Sequence, residues 1–111
     1  MASTPVLPFS TRTATGDGLD VRFPLHPATV NAAHTAELLT RTLETVTDTV
    51  TADERYANGD VLQSLAMALA VRATMIHAPP AVTAQLARDL LESALEATHA
   101  ASDNGTAGGH A

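Results

Sequence analysis

The chain has 111 residues and a formal net charge of −6, from twelve acidic residues against six arginines, with no lysine and no cysteine. This length allows one domain, and an acidic chain without a basic cluster argues against nucleic acid and anionic membrane surfaces as partners. The lack of cysteine excludes disulfides, thiolate zinc sites and a cysteine nucleophile. Much of the 45% hydrophobic share is alanine. Since alanine buries little area, self-association is an attractive source of extra stability.

Residues 1–18 combine prolines and glycines with serines and threonines, a composition that predicts a flexible N-terminal arm. They contain no basic segment followed by an apolar one and no cleavage signature, so a secretory signal is not expected. Cytoplasm is therefore the predicted location.

Apolar and polar residues alternate from residue 19 to residue 25, which is the period of a half-buried strand. A lone strand cannot satisfy its own backbone, so three alternatives are open. The segment pairs with Val6 to Phe9, or it pairs with the same segment of a second chain, or it lies extended over the helices. Pairing with a second chain would make Leu19, Val21 and Phe23 a dimer interface. We expect an extended or short β arm and favour pairing, but we place an extended arm over the helices ahead of pairing across a two-fold axis.

The first helix is predicted over residues 27–50. Pro27 suits a first helical turn, where its missing N–H has no partner to lose, and apolar residues then recur at steps of three and four from Val30 to Val50. Residues 45–51 also alternate at period two in strand-favouring types. Continuity of the helical stripe decides for helix.

The longest apolar run predicts the second helix, over residues 60–77. Asp60 is the expected N-cap, after a left-handed Asn58-Gly59 turn, and Pro79 ends the helix. One arc is expected to face the other helices of the same chain: Leu62, Leu65, Leu69 and Ile76. A second arc is predicted to be an interface with a second copy or another protein: Met67, Val71 and Met75. Polar Gln63 and Arg72 inside a run of marginal length argue against a membrane span.

A third helix is predicted over residues 80–101, and residues 102–111 have nothing to bury and are expected to form a disordered tail. Short connections force neighbouring helices to run antiparallel. The predicted fold class is therefore mainly α, with a small antiparallel three-helix domain over residues 19–101 and an extended or short β N-terminal arm.

Histidine and glutamate side chains at helical spacing are the candidates for a metal site. Glu96 and His99 form an E-x-x-H pair with Glu92 one turn earlier, a spacing found in di-iron bundles. His34 and Glu37 have the reverse order on another helix. Because only one forward pair exists, a solvated acidic face is the simpler interpretation, and no cofactor is predicted.

Arg72 lies near the leucine arc of the apolar helix. It either extends its guanidinium to water along an apolar surface or pairs with a carboxylate of a second subunit or of this chain, for which the candidates are Glu37, Glu44 and Asp48. No catalytic constellation is visible, because no serine lies on a strand-to-helix elbow and no glycine-rich loop precedes a helix. By elimination, the sequence favours a small non-catalytic protein–protein interaction module, a homodimeric accessory or regulatory subunit that also engages a larger protein. The alternative is a helical bundle that binds a metal or a small ligand.

Overall fold

The structure, a computed structural model, describes residues 5–12 and 18–109, with residues 102–109 described by their backbone alone. Two strands precede three helices: β1 (Val6–Arg12), β2 (Gly18–Pro24), α1 (Ala32–Ala52), α2 (Asn58–Thr74) and α3 (Pro80–Gly109). The mainly α class with a short β arm is confirmed. One compact unit spans residues 33–89, and the hairpin shares the other with the part of α3 from residue 90 onward.

β1 and β2 form an antiparallel hairpin, so the segment at residues 19–25 pairs within its own chain. Leu7 lies opposite Phe23, and Phe9 lies opposite Val21. Because residues that face each other across a ladder point to the same side, these four make one apolar face. Its most buried members are Val21 and Leu7.

Residues 6–12, which composition assigned to a flexible arm, are therefore a strand. The strand at residues 18–24 needs a partner for its backbone, and alternating apolar residues in β1 supply a matching face. The rest of that predicted arm, residues 1–4 and 13–17, lies outside the described residues.

α1 begins at Ala32 instead of residue 27. A turn around His26 replaces the expected first helical turn: the Thr29 N–H donates to the His26 carbonyl at 2.9 Å, and the Ala28 N–H donates to His26 Nδ1 at 3.0 Å. The threonine-rich second half of α1 is helical as predicted. Its threonine hydroxyls donate to carbonyls one turn back, as Thr45 does to Arg41 at 2.9 Å, so they are satisfied without leaving the helix.

α2 is displaced toward the N-terminus relative to the prediction, at residues 58–74 instead of 60–77. Ala57 is the N-cap and makes no side-chain cap hydrogen bond. Asp60 lies in the first turn, where its carboxylate complements the helix dipole without capping. At the other end the Thr74 hydroxyl donates to the Val71 carbonyl at 2.6 Å, and the Met75 N–H donates to the Arg72 carbonyl at 3.2 Å. These i−3 bonds tighten and end the helix before Pro79.

α3 begins at Pro80 as predicted, with the N–H groups of Val82 and Thr83 bonded to the Pro79 carbonyl at 2.9 and 3.2 Å. It continues to Gly109, through residues 102–109, for which composition predicts a disordered tail. No proline follows Pro80 in the sequence, and each residue added to an existing helix gains one backbone hydrogen bond. Residues 110 and 111 lie outside the described part.

The helices bury little of their apolar surface in the single chain. No residue of α1 or α2 is buried, and these two helices make at most marginal contact with each other. Of the leucine arc, Leu62 is 71% exposed and Leu69 36%, and Ile76, which lies beyond the end of α2, is 47% exposed. The expectation that the chain's own helices cover this arc is therefore not met.

Candidate functional site

The second apolar arc of α2 is the predicted interface, and the structure leaves it open. Met67, Val71 and Met75 are 57, 55 and 61% exposed. Met67 and Val71 are four residues apart, so their side chains lie one above the other along one side of α2, and Met75 is the C-cap residue that follows the helix. With the leucine arc also exposed, α2 presents apolar side chains to solvent on two sides. A helix that is apolar all round is normally enclosed by neighbours.

Alanines fill the positions between these large side chains, among them Ala66, Ala68 and Ala70, all exposed. Small side chains allow another helix to approach the backbone closely. The surface of α2 therefore carries the small side chains that close helix packing requires.

α1 carries a second apolar surface, a stripe of half-buried residues at alternating steps of three and four: Ala36, Leu39, Leu43, Val46 and Val50. This is the heptad spacing of a helix that packs along one partner helix. α3 adds large apolar side chains that are exposed: Val82, Leu90, Leu91 and Leu95. All three helices therefore carry apolar side chains that the single chain leaves exposed or half-buried.

Arg72 is exposed, and it forms no ion pair with any residue that the structure describes. Of its expected partners, Glu37 is bonded instead to Arg41, whose Nη2 lies 3.0 Å from Glu37 Oε1. The guanidinium of Arg72 therefore extends to solvent, and a carboxylate of a second subunit is the alternative that stays a prediction.

The five candidate metal ligands are all exposed: His34, Glu37, Glu92, Glu96 and His99. No three histidine, aspartate or glutamate side chains of the described ranges, 5–12 and 18–101, converge on one point.

The hairpin residues predicted as an interface have two different positions. Val21 is 2% exposed because its side chain lies on the covered apolar face of the hairpin, whereas Leu19 and Phe23 on the same face are half-buried. What the hairpin leaves open is the outer edge of β2, with exposed Asp20 and Arg22. The sequence analysis missed these two residues, although the alternation that placed Val21 inside also placed them on the polar face.

The turn between α1 and α2 is held by Asp53 and Arg55. Arg55 donates from its backbone N–H to Asp53 Oδ1 at 3.0 Å and from Nε to Oδ2 at 2.7 Å. The side-chain bond from Arg55, followed by the backbone bond, lowers the pKa of Asp53. The pair fixes the exit from α1 and is not part of an apolar surface.

No protein-family model, no curated protein and no solved structure matches the chain. Within the described ranges, no helix has the length and apolar character needed to cross a membrane.

Proposed function

We propose that this chain is a small non-catalytic protein–protein interaction module that forms a homodimer and serves a larger protein as an accessory or regulatory subunit. The observation that supports the proposal is the exposure of Met67, Val71 and Met75 on a helix whose opposite arc is exposed as well. A soluble monomer rarely leaves so much contiguous apolar surface open without a partner.

The free energy gained by burying these three side chains in a dimer can be compared with the cost of association. Burying a large apolar side chain completely is worth about 1.5–3 kcal/mol. The three residues are a little more than half exposed, so six side chains in a dimer would contribute about 5–10 kcal/mol. Association costs about 4–15 kcal/mol. The α2 arc alone therefore gives a marginal dimer, and other surfaces of the chain have to contribute.

Sedimentation equilibrium at micromolar concentration tests the proposal. We expect the wild type to have about twice the 11.5 kDa chain mass, and Val71→Asp to sediment as a monomer because it puts an unpaired charge into the interface. Thr45→Asp, which adds the same charge at an exposed polar position of α1 away from its apolar stripe, is the control and should remain a dimer. Far-UV circular dichroism shows whether each variant keeps its helices. A monomeric wild type contradicts the proposal.

A further inference from the structure

The two edges of the hairpin differ in their capacity to accept another strand. The Leu25 N–H donates to the carbonyl of Pro5, directly opposite in the ladder, at 2.8 Å. Odd-numbered residues of the hairpin are therefore its hydrogen-bonded pairs, and the backbone groups of even-numbered residues point away from the hairpin. Pro8 and Pro24 both occupy such outward positions, where their missing N–H costs nothing within the hairpin.

Proline blocks one edge in the middle and the other only at its end. Pro8 is the third residue of β1, so a strand added to β1 would lose hydrogen bonds at its centre. On β2 the proline is the last residue, Pro24. The outward N–H and carbonyl groups of Asp20 and Arg22 lie at the centre of the β2 edge, and no other described strand pairs with them.

We propose that the outer edge of β2 binds the same edge of a second copy, antiparallel, around a two-fold axis at Val21. In this register Asp20 lies directly opposite the partner's Arg22, and the reciprocal pair lies on the other side of the axis. Opposite charges that face each other across an antiparallel pair attract. Arg22 forms no ion pair with any residue of the described chain, so its guanidinium is available for this contact.

The same register pairs the outward backbone groups of the two β2 strands and places apolar residues opposite apolar residues. Asp20 and the partner's Arg22 become a hydrogen-bonded pair, because both point their backbone groups outward. Leu19 falls opposite the partner's Phe23, which joins the two apolar hairpin faces into one four-stranded surface. Pro24 falls opposite the partner's Gly18, which has no side chain to obstruct the proline ring.

Shifting the two-fold axis by one residue removes this complementarity. An axis at residue 20 puts Asp20 opposite the partner's Asp20, and an axis at residue 22 puts Arg22 opposite the partner's Arg22. Like charges directly opposite each other are destabilising. Charge therefore selects the Val21 register.

This inference deepens the proposed homodimer and rests on it, because it names a contact that two copies make. Charge reversal tests it in the full chain by sedimentation equilibrium. Asp20→Arg makes two arginines face each other, and Arg22→Asp does the same with two carboxylates. We expect each variant alone to dissociate about tenfold more readily than the wild type, since two attractive pairs become repulsive.

An equimolar mixture of the two variants restores opposite charges at both positions, so we expect it to regain the wild-type dissociation constant. The exchanged variant Asp20→Arg/Arg22→Asp should also dimerise like the wild type, which keeps the test decisive if a single variant folds poorly. Arg88→Asp changes the net charge as Arg22→Asp does, on an exposed position of α3, and should leave the dimer intact.

The register is wrong if either single variant dimerises as tightly as the wild type. It is also wrong if neither the mixture nor the exchanged variant has the wild-type dissociation constant. If the charge reversals have no effect while Val71→Asp gives a monomer, the β2 contact is overturned and the α2 interface stands. If the charge variants behave as expected and Val71→Asp remains dimeric, the β2 contact stands without α2.

Discussion

The rings of Phe9 and Phe23 lie 6.4 Å apart and are tilted by 46° on the apolar face of the hairpin. They are diagonal neighbours on adjacent strands, since Phe9 is opposite Val21 and Phe23 is opposite Leu7. Tilted aromatic pairs at this separation attract each other beyond the area that they bury. This pair ties β1 to β2 through side chains in addition to the ladder.

Removal of either ring should therefore weaken the fold. We expect Phe9→Ala and Phe23→Ala each to lower the free energy of unfolding in urea by about 2 kcal/mol, less than for fully buried rings because both are half-buried. The double variant should lose about 1 kcal/mol less than the sum of the two, which is the coupling of the pair. Val6→Ala, on the polar face, is the control. Additive effects of the two Phe variants would contradict the coupling.

The proposed two-fold axis makes a prediction about cross-linking. Val21 would face the partner's Val21 as a non-hydrogen-bonded pair, with Cα atoms about 4.5 Å apart, within the range of about 4.4–6.8 Å that disulfides span. Since the chain has no cysteine, Val21→Cys can form only an intermolecular disulfide. We expect a covalent dimer under mild oxidation on a non-reducing gel.

The matched control is Val6→Cys, at an exposed position on β1. After the same oxidation it should run mostly as a single chain on the non-reducing gel. A Val21→Cys protein that sediments as a dimer yet does not cross-link would show that Val21 is away from the axis.

The Asp53–Arg55 pair predicts a pH dependence of stability. The pKa of Asp53 is lowered in the folded chain from 3.8, so the unfolded state binds this proton more readily. The pair therefore stabilises the fold fully above about pH 4, and its contribution disappears as the pH falls through the folded pKa. Asp53→Asn should have a lower melting temperature than the wild type at pH 7, and the difference should shrink at pH 3. A difference that is constant with pH would argue against a role for the charge.

Local signals in the sequence were sufficient to predict that the three segments are helices. The steps of three and four from Val30 to Val50 outweighed strand propensity, because threonine hydroxyls can be satisfied inside a helix. Pro80 marked the start of α3 for a steric reason that does not depend on the rest of the fold. The boundaries at Ala32 and Asn58 were missed, since they depend on a turn around His26 and on a helix start without a side-chain cap.

Features that depend on distant residues were not predictable in the same way. Alternation indicated a strand at residues 19–25 but left three alternatives for its partner open, because a period of two does not show which other segment lies beside the strand. The leucine arc was assigned to the protein's own helices because its spacing resembles a core, and spacing does not reveal whether the cover comes from the same chain. The outward direction of the backbone groups of Asp20 and Arg22 could not be predicted either, because it depends on which residues form the hydrogen-bonded pairs of the hairpin.

Pro8 has a consequence for how large an assembly of this chain becomes. A strand ladder extends without limit only if each added unit offers a fresh edge with donors in its centre. Once two copies meet at β2, the edges that remain outside are both β1, and each carries a proline in its middle. In the proposed dimer the sheet would therefore end at four strands, because Pro8 prevents further copies from adding strands to it.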